Sequence, residues 1–458
     1  MLHVTDNTHY SPLECVIKNS KIIGEKLDIS LDDFINSKHT GNTFFSFNND
    51  KEKRAHKNTD ELIISIRKDD VHAFHVTTGN FIGKFTWKGI PINIQSRFSE
   101  ILLKRMLSFA NDVFLDDVKL FGNESKSLDV AKLIIYYLFV QNLEKAFLLG
   151  LPKSYKTIYS HDLKVKGRID VNRFLRTDIP FMGKVASESR EQVEIQEVVD
   201  VLYLAIKIIE KSNKVLTLNV NHIKTHLKQN QSNRFVSNEM IAKALSSKAL
   251  QNAIFAPYKK VLEYAKLIIN FSTVEESSKG KTATFGFLIN VAELFEIYVR
   301  KLLQHRFPEW SVESPKIKVY EGKFYERYII PDIVMNKGEG VMVFDTKYKK
   351  MNFQKRSRYG MGDVDREDFF QINTYMSQYQ NTGKRVLVGG LLYPIEGKFQ
   401  NELENCHSET WFGNKQTKFI VDGIDLSNLS SSDSDEWSHL IKQENAFIAR
   451  VNSFIYEG

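Results

Sequence analysis

The sequence predicts a mixed α/β protein of more than one domain, with a β-rich N-terminal region, a mainly helical middle and a C-terminal α/β domain. Short apolar runs between glycine and polar residues predict the β-rich region, and apolar residues at helical spacing predict the middle. In the C-terminal part, helical patterns and apolar runs alternate. We therefore predict four segments: an extension of unknown role at 1–60, the β-rich domain at 61–125, the helical region at 126–270 and the C-terminal domain at 271–458.

Length, charge and cysteine content narrow the class of protein. The 458 residues are enough for two or three domains, and the net charge of +7 favours a polyanionic partner. Cys15 and Cys406 form no CxxC pair, so neither a disulfide framework nor a zinc ribbon is expected. The polar N-terminal residues predict no signal sequence, and the longest apolar run, Leu133–Val140, is too short for a membrane span. We expect a soluble, cytoplasmic protein.

The β-rich domain is predicted from a succession of short apolar runs, which are Leu62–Arg67, Val71–Thr77, Phe81–Trp87 and Ile90–Gln95. Polar or glycine-containing breaks separate these runs, as expected for consecutive strands joined by turns. The succession predicts a meander or a small barrel. Residues 1–60 mix short apolar pieces with a charged stretch that is most simply a solvated loop.

Helices are predicted around and within the middle region. Ser99 is placed to cap a helix that runs to Ala110, and Ser127 with Asp129 to open another that ends at Phe147. Two further helices are predicted over Glu191–Lys211 and Gln251–Phe271.

A short basic stretch interrupts the helical patterns. Lys164, Lys166 and Arg168 alternate along the chain, so on a strand they would share one face. That face would contact phosphate or a protein partner, or form an ordinary solvated edge, and the residues favour neither reading.

The stretch Tyr328–Lys350 most narrows the function. Its apolar runs Tyr328–Met335 and Val341–Tyr348 flank Asn336–Gly340, whose composition is typical of a hairpin turn. Asp332 lies in the first predicted strand. The second contains Asp345 and Lys347, which are two residues apart and therefore on one face.

Two carboxylates beside a lysine between apolar strands are costly to bury unless a cation neutralises them or they serve chemistry. Mg²⁺ prefers oxygen ligands, makes a bound water more acidic and accepts a phosphate oxygen, so the group predicts metal-assisted phosphodiester hydrolysis. A salt-bridged hairpin is the plain alternative. The surrounding pattern favours chemistry: Gln371 and Tyr375 share a helix face downstream, and Glu296 lies in a predicted helix over Phe287–Phe307 upstream.

The order of helix, strands, helix and strand resembles the PD-(D/E)xK nuclease fold. The fragments LFEIYV, PDIV, FDTKYK, DFFQINTY and LLYP, together with FIGKFTWKGIPINIQSRF near the N-terminus, resemble the McrC family. This family provides the nuclease subunit of 5-methylcytosine-dependent McrBC restriction systems. The resemblance implies a C-terminal restriction-endonuclease-like domain that cuts double-stranded DNA with Mg²⁺, or with Mn²⁺ in its place.

The resemblance also implies roles for individual residues. Asp332 and Asp345 would be metal ligands and Lys347 the catalytic lysine. Glu296 is a candidate for the metal site or for orienting water. Gln371 and Tyr375 would support the site or touch DNA.

Basic residues follow the acidic pair and lysine closely. Lys349, Lys350, Lys355, Arg356 and Arg358 are expected to hold the DNA backbone, because phosphate contacts supply most non-specific affinity. A solvated face is the alternative reading.

The resemblance finally implies a protein partner, a McrB-like AAA+ GTPase ring that selects the target and is stimulated by the N-terminal and middle regions. Ser278–Thr282 ends like a P-loop, but Glu275 stands where the earlier glycine is needed, so no nucleotide is expected on this chain. Dimerisation through the nuclease domain is also expected. The alternatives are a stand-alone repair or recombination nuclease and a ring-binding activator with a vestigial nuclease domain.

Overall fold

A computed structural model of the protein describes residues 2–13, 26–36, 43–45, 61–68, 74–87, 90–110, 130–212, 214–277, 287–321, 326–349, 364–395, 407–426 and 433–456. The chain forms two compact units, one made of residues 1–119 with 284–458 and the other of residues 120–283. The first unit joins both ends of the chain. This arrangement differs from the four consecutive segments predicted above.

The strands are β1 Leu2–Thr5, β2 His9–Leu13, β3 Lys26–Ser30, β4 Thr43–Phe45, β5 Leu62–Lys68, β6 Phe74–Thr78, β7 Phe81–Trp87, β8 Ile90–Gln95, β9 Lys153–Asp162, β10 Arg168–Ile169, β11 Val185–Glu194, β12 Phe287–Asn290, β13 Ser311–Glu313, β14 Ile317–Glu321, β15 Glu326–Ile329, β16 Ile333–Lys337, β17 Gly340–Thr346, β18 Arg385–Ile395, β19 His407–Trp411 and β20 Asn414–Asp425.

The α-helices are α1 Leu31–Asn36, α2 Glu100–Ala110, α3 Val130–Phe147, α4 Val171–Thr177, α5 Gln196–Ser212, α6 Asn221–Asn230, α7 Asn238–Leu245, α8 Pro257–Ser277, α9 Val291–Arg306, α10 Arg366–Asn381 and α11 Asp433–Tyr456. Within the described ranges, no helix is long and apolar enough to cross a membrane.

The predicted β-rich region consists of two sheets rather than a single meander. One sheet has the order β1-β8-β7-β12-β4 and the other the order β2-β6-β5-β3. All four predicted strands are present, as β5 to β8, but they are divided between the sheets. Buried apolar residues of both sheets, such as Leu2, Ile29, Ile64 and Leu288, share one core.

The prediction of residues 1–60 as a separate extension is wrong for the described part of that segment. Strands β1 to β4 belong to the two sheets, and β1 pairs in parallel with β8. Leu27 and Ile29 are buried, whereas Lys26 and Asp28, which alternate with them, are exposed. This alternation is the period of a half-buried strand, but it extends over too few residues to stand out from the charged sequence that follows.

The C-terminal sheet of the first unit has the order β13-β16-β17-β18-β20-β19. Strands β16 and β17 form an antiparallel hairpin, and β17, β18 and β20 run parallel to one another. Helix α10 packs against this sheet through a core that includes Ile372, Met376 and Val343. A Cβ on Gly389 of β18 would lie 2.2 Å from Met376 Sδ, so glycine is what lets the helix approach the strand this closely.

Two predicted elements near this sheet have different bounds. The predicted strand Tyr328–Met335 is divided into β15, which pairs with β14, and β16, which pairs with β17. Pro331 lies in the break and has no N–H with which to continue a ladder. The predicted helix over Phe287–Phe307 begins with strand β12, and α9 starts only after Asn290, whose side chain accepts a hydrogen bond from Glu293 N.

The second unit contains α3 to α8 and a sheet of order β10-β11-β9. The helix predicted over Glu191–Lys211 begins at Gln196, because β11 continues to Glu194 in pairing with β9. The helix predicted over Gln251–Phe271 starts at Pro257, a residue favoured in a first helical turn.

The shared strand face predicted for Lys164, Lys166 and Arg168 is wrong. The two lysines lie between β9 and β10, and only Arg168 belongs to a strand. Gly167, with φ of +80°, turns the chain between Lys166 and Arg168 in a backbone conformation that glycine adopts readily.

Candidate active site

The hairpin of β16 and β17 brings the two predicted acidic residues together. Ile333 pairs with Phe344 at the open end of the antiparallel ladder. One step beyond this pair, the same register sets Asp332 opposite Asp345. Asp332 precedes β16, and Asp345 is the next-to-last residue of β17.

The backbone and side chain of Thr346 fix the Asp332 carboxylate. Thr346 N and Oγ1 each donate a hydrogen bond to Asp332 Oδ2, at 2.8 Å in both cases. Burial raises the pKa of Asp332 well above its usual value, and the negative charges of Glu296 and Asp345 raise it further. The Thr346 hydrogen bonds oppose only part of this shift.

Asp345 is almost fully buried, with 2% of the residue exposed. Lys347 Nζ lies 2.7 Å from its Oδ2. Burial nevertheless raises the pKa of Asp345, and the nearby carboxylates of Asp368 and Glu296 add to the effect while Lys347 opposes it. Burial of the carboxylate therefore outweighs the stabilising contact with Lys347.

The ammonium group of Lys347 joins β17 to helix α10. Besides its contact with Asp345, Nζ lies 3.1 Å from Asp368 Oδ1 and donates to Gln371 Oε1 at 2.8 Å. Burial alone would lower the pKa of Lys347, but Asp345 and Asp368 together raise it. The lysine is therefore protonated at neutral pH. Its main-chain N–H donates to Leu392 O at 2.8 Å, which extends the pairing with β18 beyond the end of β17.

Helix α10 delivers the two polar residues predicted to share its face. Asp365 caps the helix by accepting a hydrogen bond from Glu367 N. Gln371 Nε2 then donates to the Tyr375 hydroxyl at 2.8 Å, and that hydroxyl lies 3.4 Å from Ile330 O, just before Asp332. Gln371 and Tyr375 thus form a chain from Lys347 back to the start of β16.

Asp368 belongs to the site, although the sequence interpretation assigned it no role. Its two oxygens contact different lysines, with Oδ1 near Lys347 and Oδ2 2.9 Å from Lys349 Nζ. The residue is 6% exposed. Its spacing of three residues before Gln371 was the available signal, because that spacing puts both residues on one helix face.

Glu296 lies on α9 and interacts with the site through an arginine. Arg300 Nη1 lies 2.9 Å from Glu296 Oε1 and 3.3 Å from Asp332 O. In the part of the chain that the structure describes, no group of three or more His, Cys, Asp or Glu residues is arranged to hold a metal ion. A role for Glu296 as a metal ligand stays a prediction.

The donor chemistry of the acidic pair fits a hard divalent cation. Asp332 and Asp345 offer carboxylate oxygens, which Mg²⁺ prefers. Burial, and next to it the charges of neighbouring carboxylates, raise the pKa of both groups, so a cation between them would stabilise their ionised forms. Two protein carboxylates suffice for Mg²⁺, which usually keeps several waters.

The predicted DNA-binding residues are described only in part. Lys349 Nζ lies 3.3 Å from Asp365 Oδ2, in addition to its contact with Asp368. Lys350, Lys355, Arg356 and Arg358 lie outside the described residues, as does the Ser278–Thr282 segment. Their predicted roles stay predictions.

Comparison with known proteins places the chain in a family. The family model described as McrBC 5-methylcytosine restriction system component matches residues 76–394. A search of curated proteins found no match.

Two solved chains from Thermococcus gammatolerans are similar to this chain. One comes from the refined half-complex of a tetradecameric assembly of McrB AAA+ hexamers with bound McrC, and it matches at 13% identity and a TM-score of 0.54 over 99% of each chain. Another comes from the cryo-EM structure of the McrBC complex, with 13% identity and a TM-score of 0.35 over 67% of this chain and 88% of that chain. At this identity, the first match shows a shared mixed α/β fold alone.

The match to the family model covers more than half of the chain and includes the hairpin with Asp332, Asp345 and Lys347 as well as the helix with Gln371 and Tyr375. The chain therefore belongs to the McrBC 5-methylcytosine restriction system component family.

Proposed function

We propose that this chain is a Mg²⁺-dependent endodeoxyribonuclease of the PD-(D/E)xK type and the McrC-like subunit of a modification-dependent restriction system. The observation that carries the proposal is the convergence of Asp332, Asp345 and Lys347 at the open end of one buried hairpin. Membership of the McrBC family supports the same activity. The substrate is double-stranded DNA, and the reaction is hydrolysis of a phosphodiester bond.

Asp332 and Asp345 would hold the metal ion, with Mn²⁺ as a substitute for Mg²⁺. When bound, the ion would acidify a coordinated water and stabilise charge on the phosphate oxygens. Because carboxylates bind metal in their ionised form, the raised pKa values of both aspartates make metal binding stronger as pH rises. Glu296 would contribute negative charge at this site, directly or through Arg300.

Lys347 would act as a cation rather than as a general base. A lysine whose pKa is raised by Asp345 and Asp368 keeps its proton at neutral pH, so its nitrogen has no free lone pair with which to accept another proton. Its ammonium group would orient the attacking water and offset charge that develops on the phosphate. Gln371 holds the lysine at this position, and Tyr375 holds Gln371.

The basic segment that follows Lys347 would bind the DNA backbone. Lys349, Lys350, Lys355, Arg356 and Arg358 supply positive charge next to the acidic pair. Phosphate contacts of this kind give affinity without sequence preference. Choice of the modified base would then belong to a partner.

The partner would be a McrB-like AAA+ GTPase ring, by analogy with the T. gammatolerans assembly of McrB hexamers with bound McrC. Exposed apolar side chains in the second unit support a protein interface. Tyr159, Leu163, Phe181 and Met182, on and between β9 and β11, are 61%, 76%, 62% and 85% exposed. Exposed apolar side chains gathered in one small substructure are typical of a protein-binding surface.

The test pairs the full chain with the AAA+ protein of its own system and measures cleavage of methylated and unmethylated DNA with Mg²⁺ and with GTP or ATP. We expect Lys347→Ala to reduce cleavage by at least about 100-fold while nucleotide hydrolysis by the partner is still stimulated. Lys337→Ala is the matched control, because Lys337 lies at the opposite end of β16 and is half exposed.

Each rival function has its own outcome. Full-rate cleavage by the chain with Mg²⁺ alone would identify a stand-alone nuclease. Stimulated nucleotide hydrolysis without metal-dependent cleavage by the wild-type protein would identify an activator with a vestigial nuclease domain. Equal cleavage by wild-type and Lys347→Ala proteins would contradict the role of the lysine.

A further inference from the structure

The N-terminal sheets reach the strand end that carries Lys347. Asn7 Nδ2 donates a hydrogen bond to Tyr348 O at 2.9 Å, and Arg97 Nη2 donates to the same oxygen at 3.1 Å. Asn7 lies in the turn after β1, and Arg97 lies just after β8. Two donors from the N-terminal sheets therefore meet one main-chain carbonyl directly after the proposed catalytic lysine.

Arg97 is built into this position by several contacts. Its side chain is 3% exposed, and its Nε lies 4.0 Å from Asp6 Oδ2. The guanidinium carbon lies 4.6 Å from the centroid of the Tyr348 ring and 4.8 Å from that of Phe98. Asp6 Oδ1 also accepts a hydrogen bond from Arg97 N at 2.6 Å. The stacked guanidinium thus holds the Tyr348 side chain as well as its carbonyl.

Asn7 is suited to its position by its backbone. Its φ is +44°, in the left-handed region that asparagine and glycine adopt more readily than other residues. Its main-chain N–H donates to Gly79 O at 2.8 Å, which fixes the turn against the N-terminal sheet. The side-chain amide is then directed to Tyr348 from a rigid base.

We propose that Asn7 and Arg97 are positioning residues for Lys347, so that the N-terminal sheets form part of the nuclease centre. This inference rests on the proposed nuclease function. The peptide group between Thr346 and Lys347 is held by Lys347 N donating to Leu392 O of β18, and the peptide group after Tyr348 is held by Asn7 and Arg97. The backbone is therefore fixed on both sides of the Lys347–Tyr348 pair, which limits the positions that the Lys347 Cα can take.

The reason for the arrangement lies in the chain beyond β17. The β-ladder of β17 ends at Thr346, so Lys347 gains no register from its own hairpin. Catalytic groups must be held to a fraction of an ångström, because small displacements of a reacting group cost large factors in rate. Donors from a separate, well-packed sheet supply the restraint that the hairpin lacks.

The test uses Asn7→Gly and Asn7→Asp in the full chain with its AAA+ partner. Glycine accepts the positive φ and removes only the amide donor, whereas aspartate keeps the shape and places an acceptor against the carbonyl. Asn233→Gly is the matched control, because Asn233 also has a positive φ, of +57°, and is exposed in the second unit.

We expect kcat for DNA cleavage to fall about fivefold to tenfold in Asn7→Gly and further in Asn7→Asp, with KM for DNA unchanged. Loss of one hydrogen bond should lower the unfolding temperature by only a few degrees, which leaves the protein folded under the assay conditions. Hydrogen exchange of the main chain at residues 346–349, measured in the metal-free proteins, should increase in both variants. Asn233→Gly should match the wild type in each measurement.

Other outcomes overturn the inference in recognisable ways. Unchanged kcat in both Asn7 variants would overturn it while leaving the proposed nuclease function intact. An increase in KM at constant kcat would show that Asn7 affects DNA binding instead. A wild-type protein that cuts no DNA with Mg²⁺ and its partner would remove the proposed function, and this inference with it.

Discussion

Two clusters of buried ionisable groups in the first unit differ in how their charges are balanced. In one, Arg105 Nε and Nη2 donate to the two Glu444 oxygens at 2.7 and 2.8 Å, and the Tyr298 hydroxyl donates to Glu444 Oε1 at 2.6 Å. The other is the candidate active site, where Asp332 and Asp345 face each other with a single lysine in contact with one of them.

The comparison separates a buried ion pair whose two charges balance from a buried cluster in which one of the facing carboxylates has no cation in contact among the described residues. In the Arg105 cluster, one guanidinium meets one carboxylate in a bidentate pair that joins helices α2 and α11. In the active-site cluster, burial and repulsion among carboxylates raise the pKa of both aspartates. Incomplete charge balance therefore distinguishes the proposed active site from the Arg105–Glu444 pair, and substitutions in the two clusters should have different effects.

The largest effect is expected from Asp345→Asn. Removing this carboxylate takes away a proposed metal ligand, so cleavage should fall roughly 1000-fold in an assay with Mg²⁺ and the AAA+ partner. The metal-free variant should be at least as stable as the wild type, because asparagine removes a carboxylate whose charged form burial disfavours. Glu339→Gln, in the exposed turn of the same hairpin, is the control. A stable variant that cuts at the wild-type rate would contradict the site.

Glu444→Gln should affect stability instead of chemistry. It leaves the buried guanidinium of Arg105 without its carboxylate, which is expected to cost about 3 kcal/mol in the free energy of unfolding. Denaturant unfolding measures this loss. Replacing both partners by apolar residues, as Arg105→Met with Glu444→Leu, should recover most of the stability, since no charge is then left unpaired. A double variant as unstable as the single one would contradict the account.

Much of the fold could be predicted from local patterns. Strands β5 to β8, the helix after Ser99 and the hairpin of β16 and β17 all have apolar spacings that extend over several residues. The division into two sheets could not be predicted, because it depends on pairing between distant segments, such as β12 with both β4 and β7. Local spacing contains no information about such partners.

The candidate site also has a part that local spacing predicts and a part that depends on contacts between distant residues. Two pairs, Asp345 with Lys347 and Gln371 with Tyr375, were singled out because a strand or a helix places residues at these spacings on one face. Asp332 was singled out by its place in the neighbouring predicted strand, and the roles proposed for all five follow from the resemblance to the McrC family. The contacts of the site with residues distant in sequence were not identified. Asp368 was given no role, because its contacts with Lys347 and Lys349 depend on how helix α10 packs beside β17.

The free energy of unfolding of the protein should depend on pH and on Mg²⁺ through Asp332 and Asp345. The pKa values of Asp332 and Asp345 are raised above their usual value of 3.8, so the folded protein holds protons that the unfolded chain has already released. Their contribution to stability is therefore fully present below that value and is lost as pH rises through the raised pKa values.

Mg²⁺ should restore that loss, because it binds the ionised carboxylates of the folded protein. At a concentration of 100 times the Kd that applies at pH 8, the gain is about 2.7 kcal/mol. The same concentration should give a smaller gain at pH 5, where protonation of the carboxylates weakens metal binding. Thermal unfolding with and without Mg²⁺ at both pH values measures the difference. The Asp345→Asn protein should show little gain at either pH. An equal gain for both proteins would indicate that the ion binds elsewhere.

The smallest effect is expected from Asp368→Asn, which alters the balance around Lys347 without removing a proposed metal ligand. Asparagine keeps an oxygen near the lysine but loses the charge that raises its pKa and holds Lys349. We expect kcat to fall about fivefold, because Asp345 and Gln371 still hold the ammonium group. A kcat equal to that of the wild type would mean that Asp368 contributes packing alone.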